Sequence, residues 1–426
     1  MIIYTVRPGD TLYSVSRRFN VSMERLESDN QLENPEKLVP GQTIVVLTDN
    51  TSHTVAKGQS LYSIAKAYGI TLNELISANP DIRSPGRLEP GMVITIPSPG
   101  RKLGTIYVNG YAYPGINMGL LRSVLPYLTY LSIFSTQARA DGSLIPINDA
   151  PVIAAARSGG VAPIMVVTNM VEGSGFSSDL GHVLLTNKQV QNVLINNIIA
   201  TLREKNYYGL NIDFEYLFPA DRDDYNSFLR DITVRLHALG YIVMSAIAPK
   251  ISANQPGLLY EAHDYPVHGR LMDHVIIMTY EWGYTKGPAM AVSPVNEVRR
   301  VLNYAVSAMP PQKILLGMPN YGYDWTLPFV QGSSARQLTN PQAVALAGTV
   351  GAHIKYSPTS QAPFFTYYDQ ARRKHEVWFE DARSVDAKLR LINRYGLGGA
   401  SYWTVNTSFP QNWLVLSSLY DIRKVI

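Results

Sequence analysis

From about residue 104 onward the chain alternates short, almost uninterrupted apolar runs with longer stretches whose apolar positions return every third or fourth residue. The runs are GTIYVNGY, LTYLSIFS, APIMVVTN, GLNIDFEY, IVMSAIAP, HVIIMTYEW, KILLGMPNYG and GGASYWTV. Runs that are apolar on both faces suit parallel strands covered on either side. The segments between them have helical spacing, as at Tyr225, Phe228, Leu229, Ile232 and Leu236. Eight such strand–helix units in series predict an α/β fold, a closed (β/α)8 TIM barrel over residues 104–426. The interval before the eighth strand is much longer than the others. Its β-rich stretch, APFFTYYDQARRKHEVWFEDARS, predicts a small α+β insertion at about 326–385 that walls one side of the barrel mouth.

The first hundred residues read differently. YTVRPGDTLYSVSRRFNVSMERLESDN, from Tyr4, repeats as HTVAKGQSLYSIAKAYGITLNELISAN, from His53, and LVPGQTIVV repeats as LEPGMVITIP. Leu12, Val15 and Phe19 keep helical spacing, as do Leu61, Ile64 and Tyr68. Two small βααβ domains are therefore expected at 2–48 and 51–97, with PSPGRKLG (97–104) as a linker. The repeated pattern resembles the LysM module, which binds GlcNAc-containing glycans. That resemblance implies a sugar groove between the loop after the first strand (Gly9, Asp10 and Thr11; Gly58, Gln59 and Ser60) and the loop before the last (around Asn30 and Asn79).

Within GLNIDFEY, Asn211, Asp213 and Glu215 occupy alternate positions, with Ile212 and Phe214 between them. A strand sends alternate side chains to opposite faces. The three polar groups should therefore point into the barrel and climb toward its C-terminal mouth, where active sites of this architecture lie. Two buried carboxylates this close cannot both ionise cheaply, so one should stay protonated near neutral pH, as a general acid must.

Composition narrows the chemistry. With no cysteine among 426 residues, disulfides, thiolate metal sites and a Cys nucleophile are excluded. The His residues lack ligand spacing, so neither a metal nor a cofactor is expected. A net charge of +4 without a dense basic run argues against nucleic acid and is compatible with a loosely anionic polymer such as cell-wall material. No apolar stretch is long enough to span a membrane. MIIYTVRPGD does not read as a Sec signal. The chain is expected to act as a monomer.

GLNIDFEY resembles the D-G-x-D-x-D-x-E motif of family 18 glycoside hydrolases, which cleave chitin and related N-acetylated glycans. MTYEW, GMPNYGYDW, VWFEDARSVDAK and GGASYWTVN are similar to that family's later segments. The resemblance implies that Glu215 is the proton donor and that Asp213 holds the substrate's acetamido N–H. It implies that Tyr280 bonds the acetamido oxygen, making the substrate its own nucleophile, and that Trp403 floors the −1 sugar. Met278 is read as packing; Tyr111 and Tyr321 are further aromatic candidates. Departures from the pattern are Asn211 for the first Asp, Glu281 for an Asp that should reach sugar hydroxyls, and MVVTNM in place of S-x-G-G. An amide at 211 could still bond Asp213, and Asn169 is the candidate for the −1 wall.

Two LysM units before such a barrel resemble the spore cortex-lytic N-acetylglucosaminidases of spore-forming bacilli. This implies peptidoglycan as the partner, a place in the spore cortex or coat region, and hydrolysis during germination. The alternatives are a chitinase or chitooligosaccharide hydrolase with LysM chitin anchors, and an inactive glycan-binding protein. Retention of Glu215 speaks against the last.

Overall fold

The computed structural model describes residues 1–47, 50–68, 70–79, 82, 88–97 and 102–426. Residues 98–101, the centre of the expected linker, lie outside these. Eight strands form the barrel: β1 (Gly104–Ala112), β2 (Tyr130–Gln137), β3 (Ala162–Thr168), β4 (Gly209–Asp213), β5 (Ile242–Ile247), β6 (His274–Ile277), β7 (Ile314–Pro319) and β8 (Gly399–Trp403). Each pairs in parallel with its neighbours, and β8 pairs with β1 to close the ring. All eight are the apolar runs of the sequence. The expected (β/α)8 barrel is thus the observed one.

Strand β4 shows why the runs read as they do. Leu210 and Ile212, with Phe214 just beyond the strand, face the helix layer, and all three are buried in the main core. Phe214 stacks on Phe228 and Tyr225 of the helix Arg222–His237, with centroids 5.8 and 6.1 Å apart. Truncating such a ring to alanine would cost about 3–5 kcal/mol. Asn211 and Asp213 point the other way, into a lumen packed below by Tyr130, Ala162, Ile164 and Met244. A second apolar layer includes Tyr111, Phe134, Val166, Ala246 and Leu315.

The insertion between β7 and β8 is a five-stranded antiparallel sheet running from Gly322 to Trp378, with a helix at Asn340–Thr349. It therefore begins a few residues before the expected 326, because GYDWTL pairs with the insertion and not with the barrel.

Both N-terminal repeats fold as strand, helix, helix, strand, each closed by an antiparallel pair. The first is docked on the barrel domain. Val39 enters the core of the insertion beside Ile354 and Phe365. Gln411 donates to Asn30 Oδ1 and to the Thr43 carbonyl at 3.1 and 2.7 Å. Ile354 N–H donates to the Pro40 carbonyl at 3.0 Å. Gly41 makes this approach possible: its φ is +89°, and a Cβ there would sit 1.9 Å from the Ile354 carbonyl oxygen. The matching glycine of the second repeat, Gly91, has the same backbone conformation and nothing within 4 Å.

Candidate active site

The β4 ladder ends at Asp213, so Glu215 stands on irregular backbone just above it. Tyr216 then takes a left-handed conformation, φ +54°. With no strand neighbours, the peptide groups here need other partners. Asn169, immediately after β3, provides them for Glu215. Its Oδ1 accepts from Glu215 N–H at 3.0 Å, and its Nδ2 donates to the Glu215 carbonyl at 2.9 Å. The ring of His263 bonds the Phe214 carbonyl at 3.0 Å, and Ser178 donates to the Tyr216 carbonyl at 2.5 Å.

Asn169 is fully buried and spends its remaining N–H on the Ser177 carbonyl. Its amide is therefore not offered to a ligand. The expectation that it forms the −1 wall is corrected: it grips the backbone of Glu215.

Electrostatics favour a proton on the carboxyl pair. Burial pushes Asp213 up to about 7. Glu215 is held well above the usual carboxylate range by burial first, then by the charges of Asp213 and Glu281. Loss of solvation at its carboxyl raises Glu281, although the residue as a whole reaches solvent, and hydrogen bonds from Tyr321 and Tyr323 act in the opposite sense. Both tyrosines donate to the same oxygen, Oε1; the Tyr323 bond is 2.9 Å. Tyr321 is thereby tied to Glu281 and is almost fully buried.

The expected bond between Asn211 and Asp213 is absent among the described residues. Asn211 Nδ2 donates instead to the Tyr111 hydroxyl at 2.6 Å, leaving Asn211 Oδ1 and Asp213 Oδ1 without partners. Tyr280 feels Tyr111, Asp213, Glu215 and Glu281, and its hydroxyl is kept protonated far above the usual phenol range, mainly by burial. Trp403, at the end of β8, meets the rings of Tyr111, Tyr113 and Phe134 edge-on, with centroids 5.2, 6.1 and 4.8 Å away. Met278 packs in the same cluster.

Thus Asn211, Asp213, Glu215, Tyr111, Met278, Tyr280, Glu281 and Trp403 converge at the barrel mouth. Sequence reasoning missed Phe134, hidden as an ordinary strand residue in LSIFS, and the supporting role of His263. A protonated carboxyl beside an apolar aromatic floor can protonate a leaving oxygen over a bound ring.

The repeats' candidate residues serve their own folds. Gly9 and Gly58 adopt φ +85° in the turn. Asp10 accepts from Arg7 N–H and the Tyr4 hydroxyl, and Gln59 takes the matching place beside Ala56 and His53. Thr11 and Ser60 exchange hydrogen bonds with Ser14 and Ser63 at the helix starts. Asn30 and Asn79 correct the expectation of a groove-facing amide. Each is buried and bridges its second helix to its last strand, Asn30 through Leu26 and Val45 and Asn79 through Leu75 and Thr95. The loop after Asn30 lines a cleft of about 360 Å³ shared with the insertion and Phe409–Gln411; Gly9, Asp10 and Thr11 are not part of it.

A family model described as "Glycosyl hydrolases family 18" matches residues 163–407, and one described as "LysM domain" matches 4–47 and 53–97. The chain is 42% identical over 431 residues to the cortical fragment-lytic enzyme of Bacillus subtilis strain 168, covering 100% of this chain and 99% of that one. The crystal structure of the spore cortex-lytic enzyme SleL of Bacillus megaterium QM B1551 superposes with a TM-score of 0.89 at 38% identity, covering 100% and 99% of the two chains. A chitinase from Chromobacterium violaceum shares the fold, with a TM-score of 0.69 at 24% identity over 74% of this chain and 98% of that one.

Proposed function

This chain belongs to glycosyl hydrolase family 18, and from that membership we propose that it cleaves β-1,4 bonds at N-acetylglucosamine in spore cortex peptidoglycan by a retaining, substrate-assisted reaction. Glu215 donates its proton to the glycosidic oxygen as the bond to the anomeric carbon breaks. The carbonyl oxygen of the substrate's own 2-acetamido group attacks that carbon, giving a cyclic oxazolinium ion. Asp213 accepts from the acetamido N–H and balances the developing positive charge, while Tyr280 steadies the acetamido group. Glu215, now ionised, then takes a proton from water as it opens the ring with net retention. A carbonyl already tethered to the reacting sugar avoids the entropy of recruiting a separate nucleophile.

The observation that carries this reading is the placement of the carboxyl groups. Asp213 ends β4 and Glu215 stands just beyond it, and Glu281 is tied by two tyrosines. Asp213, two residues from Glu215, and Glu281, held by both tyrosines, are therefore read as supporting groups, which leaves the acetamido oxygen as the nucleophile. The relatives named for cortex fragments and spore cortex favour cortex over chitin as the substrate, with the LysM units as peptidoglycan anchors.

The test is mass spectrometry of products from purified cortex muropeptides and from chitooligosaccharides, with the parent protein and Glu215→Gln. New reducing-end GlcNAc from muropeptides, with kcat reduced by about 10²–10⁴-fold in the variant, is expected. Cleavage of chitooligosaccharides alone would favour the chitinase reading.

A further inference from the structure

We propose that Asn169 is the positioning residue of the acid, fixing the Glu215 peptide on both sides so that its carboxyl stays over the reacting bond. This rests on the reading of Glu215 as the proton donor. Beyond Asp213, β4 has left the ladder, and the segment turns sharply at Tyr216. Three successive carbonyls are held by side chains from three other segments: Phe214 by His263, Glu215 by Asn169 and Tyr216 by Ser178. Only Asn169 also receives an N–H from this segment, that of Glu215, so it alone fixes both the position and the rotation of that residue's backbone.

Asn169 is itself immobilised. It is fully buried, and its second N–H is anchored on the Ser177 carbonyl at 2.9 Å. Gly181 on the following helix, Ser178–Thr186, lets that helix close over it. A Cβ at Gly181 would lie 3.3 Å from Asn169 Nδ2 and 2.5 Å from Leu217. An amide is the side chain this arrangement requires, because one end must accept and the other must donate. A protonated carboxyl can still accept from the Glu215 N–H and donate to the Glu215 carbonyl, losing only the anchor on the Ser177 carbonyl, whereas a carboxylate can only accept.

That difference supplies a readout that a merely structural role would not move. In the full-length protein acting on cortex muropeptides, Asn169→Ala should lower kcat by about ten- to a hundredfold, with KM within about twofold. In Asn169→Asp, kcat relative to the parent should rise as pH falls and the new carboxyl takes up a proton. Asp213, Glu215 and Glu281, the carboxyls of the site, titrate in both proteins; an ionised carboxylate at 169 would push their limbs to higher pH and so lower the ratio at the acid end, the opposite of the rise that the hydrogen-bond role requires. His263, which also holds the segment, is common to both as well.

If Asn169→Asp held a constant ratio to the parent across the pH range, or if a folded Asn169→Ala matched the parent kcat, the proposal would be overturned. Should Asn169→Ala fail to fold, the pH ratio of Asn169→Asp decides alone. Glu215→Gln, measured alongside, separates the two levels. An active Glu215→Gln defeats the underlying reading and the proposal with it. An inactive Glu215→Gln with normal Asn169 variants defeats only the positioning role.

Discussion

Asn211 gives its amide hydrogen to the Tyr111 hydroxyl, 2.6 Å away, and makes no bond to Asp213 two residues along the same strand. Asp213 is therefore a buried carboxyl without an acidic neighbour at 211 with which to share a proton. Asn211→Asp would add one. A nearby negative charge disfavours ionisation, so the acidic limb of kcat/KM should move to higher pH while activity persists. Superimposable pH–rate profiles for the two proteins would contradict this.

Glu281 acts on the other limb. Its charge is the third contribution holding Glu215 protonated, after burial and Asp213. Glu281→Gln keeps an acceptor for Tyr321 and Tyr323 but removes the charge. The alkaline limb should then shift to lower pH. The shift should be smaller than one caused by a fully buried charge, because Glu281 borders solvent at the mouth. A limb that stayed in place, or moved upward, would show that the charge does not reach Glu215.

Asp213 makes the site costly to fold. Burial lifts it from 3.8 to about 7, so between those values the folded chain holds a proton that the unfolded chain has released. Stability conferred by that proton is fully present below the unfolded value and is lost as pH rises through the folded one. Asp213→Asn should therefore raise Tm at pH 8, at roughly 2 °C or less per kcal/mol for a chain of this length, and change it little at pH 4. It should also lower kcat. Thermal melts at the two pH values check the sign.

Much of this was legible in the chain. Strands covered on both faces must be apolar throughout, so all eight barrel strands stood out as runs. The alternation around Ile212 and Phe214 told which side of β4 faces the lumen. Long-range contacts left no comparable trace. Nothing in MVVTNM marks Asn169 as a clamp on a residue 46 positions later. Asn30 and Asn79 resemble exposed polar groups, yet their burial follows from a helix packing on its own strand. GYDW continues the apolar text of β7, which concealed where the insertion begins.

The docking of the first LysM domain was likewise invisible, since Gly41 and Gly91 sit in near-identical Pro-Gly turns. Both need a positive φ, so Gly91→Ala measures the backbone cost alone, about 1 kcal/mol. Gly41→Ala adds a collision with the Ile354 carbonyl. It should lower Tm further than Gly91→Ala and expose the junction to limited proteolysis. Equal effects at the two glycines would mean that the interface does not hold in solution.

The most direct measurement is inhibition by a thiazoline analogue of cyclised N-acetylglucosamine, assayed on cortex muropeptides. If the acetamido group makes the first attack and Glu215 supplies the proton, the analogue competes with substrate and binds more tightly than the substrate's KM would suggest. Failure to inhibit at concentrations far above KM would contradict that account.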